Sequence, residues 1–200
     1  YAAAAAAGEA ALMTGEVDSK ERPQRLKTLA QLFYSAKNYG KFATYAEAYQ
    51  KEAGNDPELQ KLVVQSLYLK GDYPKAQSGA KALAETSRAA GRKPDESVLQ
   101  LWLSSAFKVG DKAGQQAALT ELQINYPKPG YIADLLALAE ADLGHSNRMS
   151  LEVFRLKQRA GLLKTSDDYM EMAQLAIQLG LPGEAERVMN DGFSAGAFGG

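Results

Sequence analysis

Residues 55–76 carry the sequence NDPELQKLVVQSLYLKGDYPKA, which contains one complete helix and the start of another. Asp56 is a helix-capping residue type, and Pro57 is tolerated at the first helical position because the N–H group there has no partner within the helix. Apolar side chains then recur at three- and four-residue intervals over residues 59–67, which predicts an amphipathic helix. The break at Gly71–Tyr73 ends that helix and begins the next, so the stretch predicts a helix–turn–helix unit.

The same helix pattern occurs earlier in the chain. The apolar positions of residues 26–36 are nearly repeated in residues 59–70 after a shift of 33 or 34 residues. Short turns comparable with Gly71–Tyr73 recur at a spacing close to 34 residues, which gives two helices per period. One interval is longer, and its extra residues are predicted to lie in a loop within Thr86–Asp95. The equivalent turn positions are Tyr39, Tyr73, Lys112, Ser146 and Pro182.

The period and the turn together resemble those of tetratricopeptide repeats. The segment Gly71–Ala76 is similar to the turn between the two helices in that family, where a small residue follows the aromatic residue by three places. The resemblance implies an all-α, right-handed superhelical solenoid of antiparallel helix pairs, with the first helix of each pair lining a concave surface. Only two of the five equivalent positions hold a small residue, so some repeats are degenerate. These positions are Phe42, Ala76, Gln115, Met149 and Ala185.

This alignment predicts one solenoid domain over residues 1–200. The opening tract Tyr1–Leu12, YAAAAAAGEAAL, aligns with the second helices and places Ala4 at the small position. We therefore expect the second helix of a truncated repeat rather than a leader, with the first helix of that repeat lying upstream. The predicted divisions are 1–15 for the truncated repeat, 23–56, 57–95, 96–129, 130–165 and 166–192 for the helix pairs, and 193–200 for a glycine-rich tail.

The tail is expected to contain little helix, because glycine has a helix propensity lower than that of any residue except proline. Helical order should therefore fade after about Asp191. A terminal repeat needs a polar outer face or a cap. Phe193 and Phe198 are predicted to fold back as that cap, and docking onto a further domain or a partner is the alternative.

Composition limits the classes of function open to the chain. Hydrophobic residues make up 46% and charged residues 24%, which is typical of a folded chain. The formal net charge is −1, so bulk electrostatics does not favour nucleic acid or an anionic membrane as a partner. The chain has no cysteine, which excludes disulfides and thiolate metal sites. No apolar run is long enough to cross a bilayer, so membrane insertion is not expected.

The titratable residues give no positive argument for catalysis. His145 is the single histidine, and we expect it to be a solvated turn residue. The basic cluster within residues 155–159 does not form one stripe on a helix, which argues against a nucleic-acid surface. Acidic pairs are expected to be solvated or to favour a nearby helix N-terminus. We therefore expect no enzyme activity, no cofactor and no metal site. The acidic pairs are Glu140 with Asp142 and Asp167 with Asp168, and the basic residues are Arg155, Lys157 and Arg159.

The concave surface implied by the resemblance supplies the candidate binding residues. Helical spacing places three sets of repeated side chains on the first helices: lysines, amides and aromatics. Amides can pair with the backbone of an extended peptide, and aromatic rings give rigid contact area. Packing between repeats is the alternative role for the aromatic residues, and plain solvated surface is the alternative for the glutamines. The candidates are Lys27, Gln31, Tyr34, Lys61, Gln65, Tyr68, Gln100, Ser104 and Phe107.

These observations predict a non-catalytic scaffold or adaptor that binds a protein or an extended peptide. An accessory or oligomerisation domain of a larger protein is the alternative function, and self-association through the terminal repeats stays open. Residues 167–192 also resemble exported repeat proteins of Gram-negative bacteria. That resemblance favours a periplasmic or exported location and a role in a cell-envelope assembly, with a cytoplasmic location as the alternative.

Overall fold

The computed structural model describes residues 1–14, 18–143 and 146–199. Within these ranges it contains eleven helices and no strands, which confirms the predicted all-α fold of helix pairs. The right-handed superhelix stays a prediction, and His145 lies outside the described residues. The helices are α1 (Ala2–Met13), α2 (Arg22–Ser35), α3 (Tyr39–Ala53), α4 (Pro57–Leu69), α5 (Tyr73–Ala89), α6 (Glu96–Val109), α7 (Lys112–Asn125), α8 (Pro129–Leu143), α9 (Asn147–Arg159), α10 (Ser166–Gln178) and α11 (Pro182–Ser194).

Two helices begin where their capping residues predict. Asp56 caps α4 by accepting a hydrogen bond from the backbone N–H of Glu58 at 3.0 Å, and Pro57 occupies the first helical position. The spacing Thr165-x-x-Asp168 in the sequence likewise predicts a capping box at a helix start. At the start of α10 these two residues form that box, in which each side chain accepts a hydrogen bond from the backbone N–H of the other residue. Both helix starts are therefore confirmed.

The turn inside four of the helix pairs has the same backbone hydrogen bond. A residue in the left-handed conformation donates its N–H to the carbonyl oxygen three residues earlier. This residue is Gly71, Gly110 or Gly180 in three of the turns and Lys37, at φ 58°, in the first. Because the bond is shared, it fixes which residues are equivalent among the pairs. The residues that supply the accepting carbonyl are Tyr34, Tyr68, Phe107 and Ile177.

The chain divides into two compact units, residues 1–115 and 116–200, and the division falls within α7. In the first unit, the first helices α2, α4 and α6 contact one another in order. The second helices α3 and α5 each pack against their own first helix and against the next one. One core cluster of this unit includes Leu29, Phe42 and Leu59, so side chains from three successive helices share it.

The opening tract forms α1 and packs against α2, but its register differs by one residue from the prediction. Ala5 is fully buried, whereas Ala4 is exposed. The reason is that Tyr1 is the N-cap of α1, whereas the tyrosines aligned with it are the first residues inside their helices. The position that faces the neighbouring helix therefore comes one residue later in α1.

Two further predicted positions are wrong. The extra residues of the long interval were expected in a loop over Thr86–Asp95, but α5 runs to Ala89, so they lengthen a helix as well as a loop. In the fourth pair, Ser146 is the N-cap and α9 begins at Asn147. Met149 is therefore displaced from the small position and is 36% exposed.

In the second unit, the tail folds back onto the last helix pair. Helix α11 ends at Ser194, slightly beyond the expected limit near Asp191. The ring of Phe198 then lies 6.3 Å from that of Tyr169 and 4.6 Å from that of Phe193, measured between ring centroids. Phe198 is half-buried against the core, but Phe193 stays 63% exposed. Only one of the two predicted cap residues therefore covers the core.

Candidate protein-binding face

The nine candidate binding residues all lie on α2, α4 and α6 of the first unit, three on each helix. The register set by the shared turn hydrogen bond places them at three levels along these helices. We call the surface that they form the first-helix face. Its aromatic level is Tyr34, Tyr68 and Phe107, and its third level is Lys27, Lys61 and Gln100. Its amide level is Gln31 and Gln65, with the polar Ser104 at the equivalent position of α6.

The two lysines form the same ion pair in successive repeats. The Nζ atom of Lys27 lies 2.5 Å from Oδ2 of Asp56, and that of Lys61 lies 2.6 Å from Oδ2 of Asp95. Each aspartate is the N-cap of the next first helix and uses its other oxygen, Oδ1, to accept a backbone N–H. One carboxylate therefore starts a helix and holds the preceding repeat against it.

These contacts shift the ionisation of the groups involved. The hydrogen bond from Lys27 lowers the pKa of Asp56 despite its burial, and the same contact raises the pKa of Lys27. Burial acts to raise the pKa of Asp95, but hydrogen bonds from Lys61 and Ser97 outweigh it and leave that pKa lowered. The charged forms of Asp56, Asp95 and Lys27 are therefore favoured in the folded chain.

The amide and aromatic levels contact each other between repeats. The hydroxyl of Tyr34 donates a hydrogen bond to Oε1 of Gln65 at 3.0 Å. The Tyr34 ring also meets the ring of Phe42 edge-on, with centroids 5.3 Å apart, and the Tyr68 ring meets that of Tyr73 in the same way at 5.2 Å. Burial raises the pKa of Tyr34. Tyr34 is consequently held between α3 and α4, and Tyr68 packs against the start of α5.

Exposure differs among the members of the face. Phe107 is 53% exposed and Gln31 is also exposed, whereas Tyr34, Gln65 and Tyr68 are half-buried. The structure thus joins Tyr34 to Gln65 directly, but it joins each lysine to a capping aspartate rather than to another candidate. Those aspartates were missed as partners of the lysines, although Asp56 was predicted as a capping residue and Asp95 ends the predicted loop before the next helix.

The charged residues Arg155, Lys157 and Glu140 of the second unit have structural partners. Arg155 pairs with Glu152 and Glu184, and Nζ of Lys157 lies 2.8 Å from Oε1 of Glu140. Among the residues that the structure describes, no group of three acidic or histidine side chains is placed to hold a metal ion. In the same ranges, no helix is both long enough and apolar enough to cross a membrane.

Comparison with known proteins bears on the fold. No protein-family model and no curated protein matches the chain. Among solved structures, the crystal structure of the MamA protein has a TM-score of 0.52 at 11% sequence identity, over 88% of this chain and 93% of that chain. A thermophilic tetratricopeptide-repeat protein of Thermus thermophilus has a TM-score of 0.43 at 16% identity, over 86% of this chain and 91% of that chain. At 11% identity, the likeness to MamA is a likeness of fold.

Proposed function

We propose that this chain is a non-catalytic scaffold that binds a protein or an extended peptide on the first-helix face. The hydrogen bond between Tyr34 and Gln65 is the observation that carries the proposal, because it fixes an aromatic ring and an amide of neighbouring repeats relative to each other. Groups that are already ordered lose little conformational entropy when a partner binds. The exposed Gln31 and Phe107 then supply the contact surface beside this fixed pair.

An extended segment is the ligand shape that suits this face. Its amide level offers side chains that can donate to and accept from a peptide backbone, and its aromatic level offers apolar contact area. The lysines are engaged with capping aspartates, so recognition of a carboxylate by Lys27 or Lys61 would require breaking a contact between repeats. Specificity is therefore assigned to the amide and aromatic levels.

Selection from a displayed peptide library tests the proposal. Peptides selected on the wild-type chain are measured against a Gln31→Ala/Phe107→Ala double variant, whose two side chains are exposed and should be removable without unfolding. We expect at least a tenfold loss of affinity, since interface hot spots concentrate in a few such side chains. A Gln116→Ala/Ile124→Ala variant is the control, because both of these side chains are exposed on α7 in the second unit. If the selected peptides bound both double variants with equal affinity, the first-helix face would be excluded as the binding site.

A further inference from the structure

A groove with a volume of about 440 Å³ lies between α10 and α11 in the second unit. Its floor is formed by Ala173 and Ala185, each only 5% exposed. Its walls are mostly apolar, and two of the wall side chains are well exposed, Ile177 at 62% and Met170 at 38%. The walls include Met170, Gln174 and Ile177 from α10, and Glu186 and Met189 from α11.

The α10 wall has the same register as the first-helix face. Ile177 supplies the shared turn carbonyl, as Tyr34 does in α2, so Gln174 corresponds to Gln31 and Met170 to Lys27. In the first unit, the lysine and tyrosine positions contact the following first helix, through Asp56 and Gln65. The α10 positions therefore belong to a surface that, elsewhere in this chain, packs against another helix.

The residue types at these α10 positions differ from those in α2, and the difference changes which ligand the groove can bind. Methionine and isoleucine cannot pair with a capping aspartate or donate to an amide, as lysine and tyrosine do in α2. They can contact an apolar helix face, and the flexible thioethers of Met170 and Met189 can adapt to its shape. The tail does not supply this helix, because after α11 it turns back and places Phe198 against Tyr169.

The charge at the groove is acidic. Glu186 lies in the wall, and Asp167 lies one helical turn before Met170 on α10. Neither carboxylate has an ion-pair or hydrogen-bond partner within the described residues. A binding helix with lysine or arginine beside its apolar stripe would neutralise both. The alanine-rich helix α1 has no basic residue, so a second copy of this chain does not supply such a helix through its first element.

We propose that the groove between α10 and α11 binds an amphipathic α-helix of another protein, with basic residues flanking its apolar stripe. The apolar stripe lies between Met170, Ile177 and Met189, and the flanking basic residues meet Glu186 and Asp167. This is the helix-in-groove mode of recognition. It concerns a surface separate from the first-helix face, so either proposal can fail while the other holds.

Two designed, fluorescently labelled helical peptides of about 18 residues, or five turns, serve as probes. They share one leucine stripe, and the flanking positions hold lysine in one peptide and glutamate in the other. Fluorescence anisotropy should show the lysine peptide binding wild type more tightly by about threefold to tenfold at low salt, with a smaller difference at high salt. Ile177→Glu should weaken binding of the lysine peptide by about tenfold or more.

Ile124→Glu is the matched control, because Ile124 is 72% exposed on α7 and carries the same substitution away from the groove. It should bind the lysine peptide as wild type does, and Glu186→Lys should shift the preference towards the glutamate peptide. The proposal is overturned if the lysine peptide does not bind wild type at millimolar concentration, or if Ile177→Glu binds it as well as Ile124→Glu does. Self-association of wild type that Ile177→Glu abolishes would make a second copy the occupant and would also overturn it.

Discussion

Lys37 has a backbone conformation that the other repeats assign to glycine. Its φ is 58°, whereas the equivalent residues of three later turns are Gly71, Gly110 and Gly180. A side chain in this region is strained by contact between Cβ and the backbone. Lys37→Gly should therefore raise the free energy of unfolding by about 0.5–1 kcal/mol, after allowing for the greater freedom of glycine in the unfolded chain. Urea denaturation measures the change.

The opposite substitution in the next repeat provides the control for Lys37. Gly71 has a φ of 82°, and a Cβ there would meet no atom within 4 Å. Gly71→Ala should lower the free energy of unfolding through backbone strain alone, by about 1 kcal/mol. If both substitutions left stability unchanged, backbone strain at the left-handed residue of the turn would not affect the free energy of unfolding.

The ion pair between Lys27 and Asp56 predicts a dependence of stability on pH. Asp56→Asn should reduce stability at pH 7 by about 1 kcal/mol or less, because the pair is partly exposed and asparagine can still cap a helix. The folded-state pKa of Asp56 lies below its ordinary value of 3.8. The stabilising contribution is therefore present above pH 3.8 and is lost as the pH falls through the lowered pKa.

Urea denaturation of wild type and Asp56→Asn at several pH values between 7 and 2 measures this loss. The stability difference between the two proteins should shrink as the medium becomes acidic. At the alkaline end, the pKa of Lys27 is raised above 10.5, so its contribution is lost only as the pH rises through that raised value. A difference that stayed constant down to pH 2 would contradict the role of the ion pair. Asp134→Asn, at an exposed position of α8, is the control for the substitution itself.

At the level of single residues, the sequence predicted the position of the candidate site better than its contacts. Helical spacing correctly placed Lys27, Gln31 and Tyr34 on one helix of the first unit. It did not identify the partner of Lys27, because Asp56 is distant in sequence and meets the lysine only when adjacent repeats pack. The contact between Tyr34 and Gln65 was missed for the same reason.

Two glycines within helices should respond in opposite ways to alanine. A Cβ on Gly8 of α1 would lie 3.4 Å from Cδ1 of Leu29, which is ordinary contact, so Gly8→Ala should stabilise the chain by about 0.5–1 kcal/mol through helix propensity. A Cβ on Gly79 of α5 would lie 2.8 Å from Cγ2 of Val64. Gly79→Ala should therefore force α4 and α5 apart and destabilise the chain by about 1–3 kcal/mol.

Thermal and urea unfolding of the two glycine variants measure these effects. Val64→Ala removes the methyl groups that would block a new Cβ, so Gly79→Ala should cost less in that background than in wild type. The difference between the two backgrounds isolates the steric contact from the change in helix propensity. If Gly79→Ala stabilised the wild-type chain, close packing would not set the separation of α4 and α5.

The first residue of a helix was predictable where a capping side chain precedes it. It was not predictable where no side chain caps the helix and adjacent residues could equally begin it. Asp56 and Thr165 each have a side-chain oxygen that fixes the first turn, so α4 and α10 begin as expected. Tyr1 makes no side-chain capping hydrogen bond, and the same is true of Ser146. In both helices the predicted register was wrong by one residue.

At the scale of the whole molecule, the two units should respond separately to damage of their cores. Leu59 is 1% exposed in a core of the first unit, and Met172 is fully buried in that of the second. Leu59→Ala should cost about 2–5 kcal/mol and accelerate amide hydrogen exchange in α2 to α5, with little change in α10 and α11. Met172→Ala should produce the opposite pattern, because stability in repeat proteins depends mainly on neighbouring repeats.

Hydrogen exchange followed by mass spectrometry resolves these patterns along the chain. Uniform acceleration in both units by either variant would show one cooperative structure instead. The sequence predicted helix pairs throughout, because periodicity is a local property, but it did not predict a division within α7. That division depends on which helices contact each other, and a repeat pattern contains no information about it.

Asp56 and Asp95 each cap a helix and pair with a lysine, and we call this combination a joint. The joints have a consequence for building new proteins from this one. In each joint the lysine and the aspartate lie in the same predicted unit, 23–56 or 57–95, and the aspartate caps the first helix of the next unit. Cutting between Asp56 and Pro57 therefore keeps both ion pairs whole, with a cap before the cut and a helix start after it. Inserting a further copy of residues 57–95 at that position would regenerate a complete joint at both new junctions. The array can therefore be lengthened in whole units, because every inserted unit contains its own ion pair and the cap for the helix that follows it.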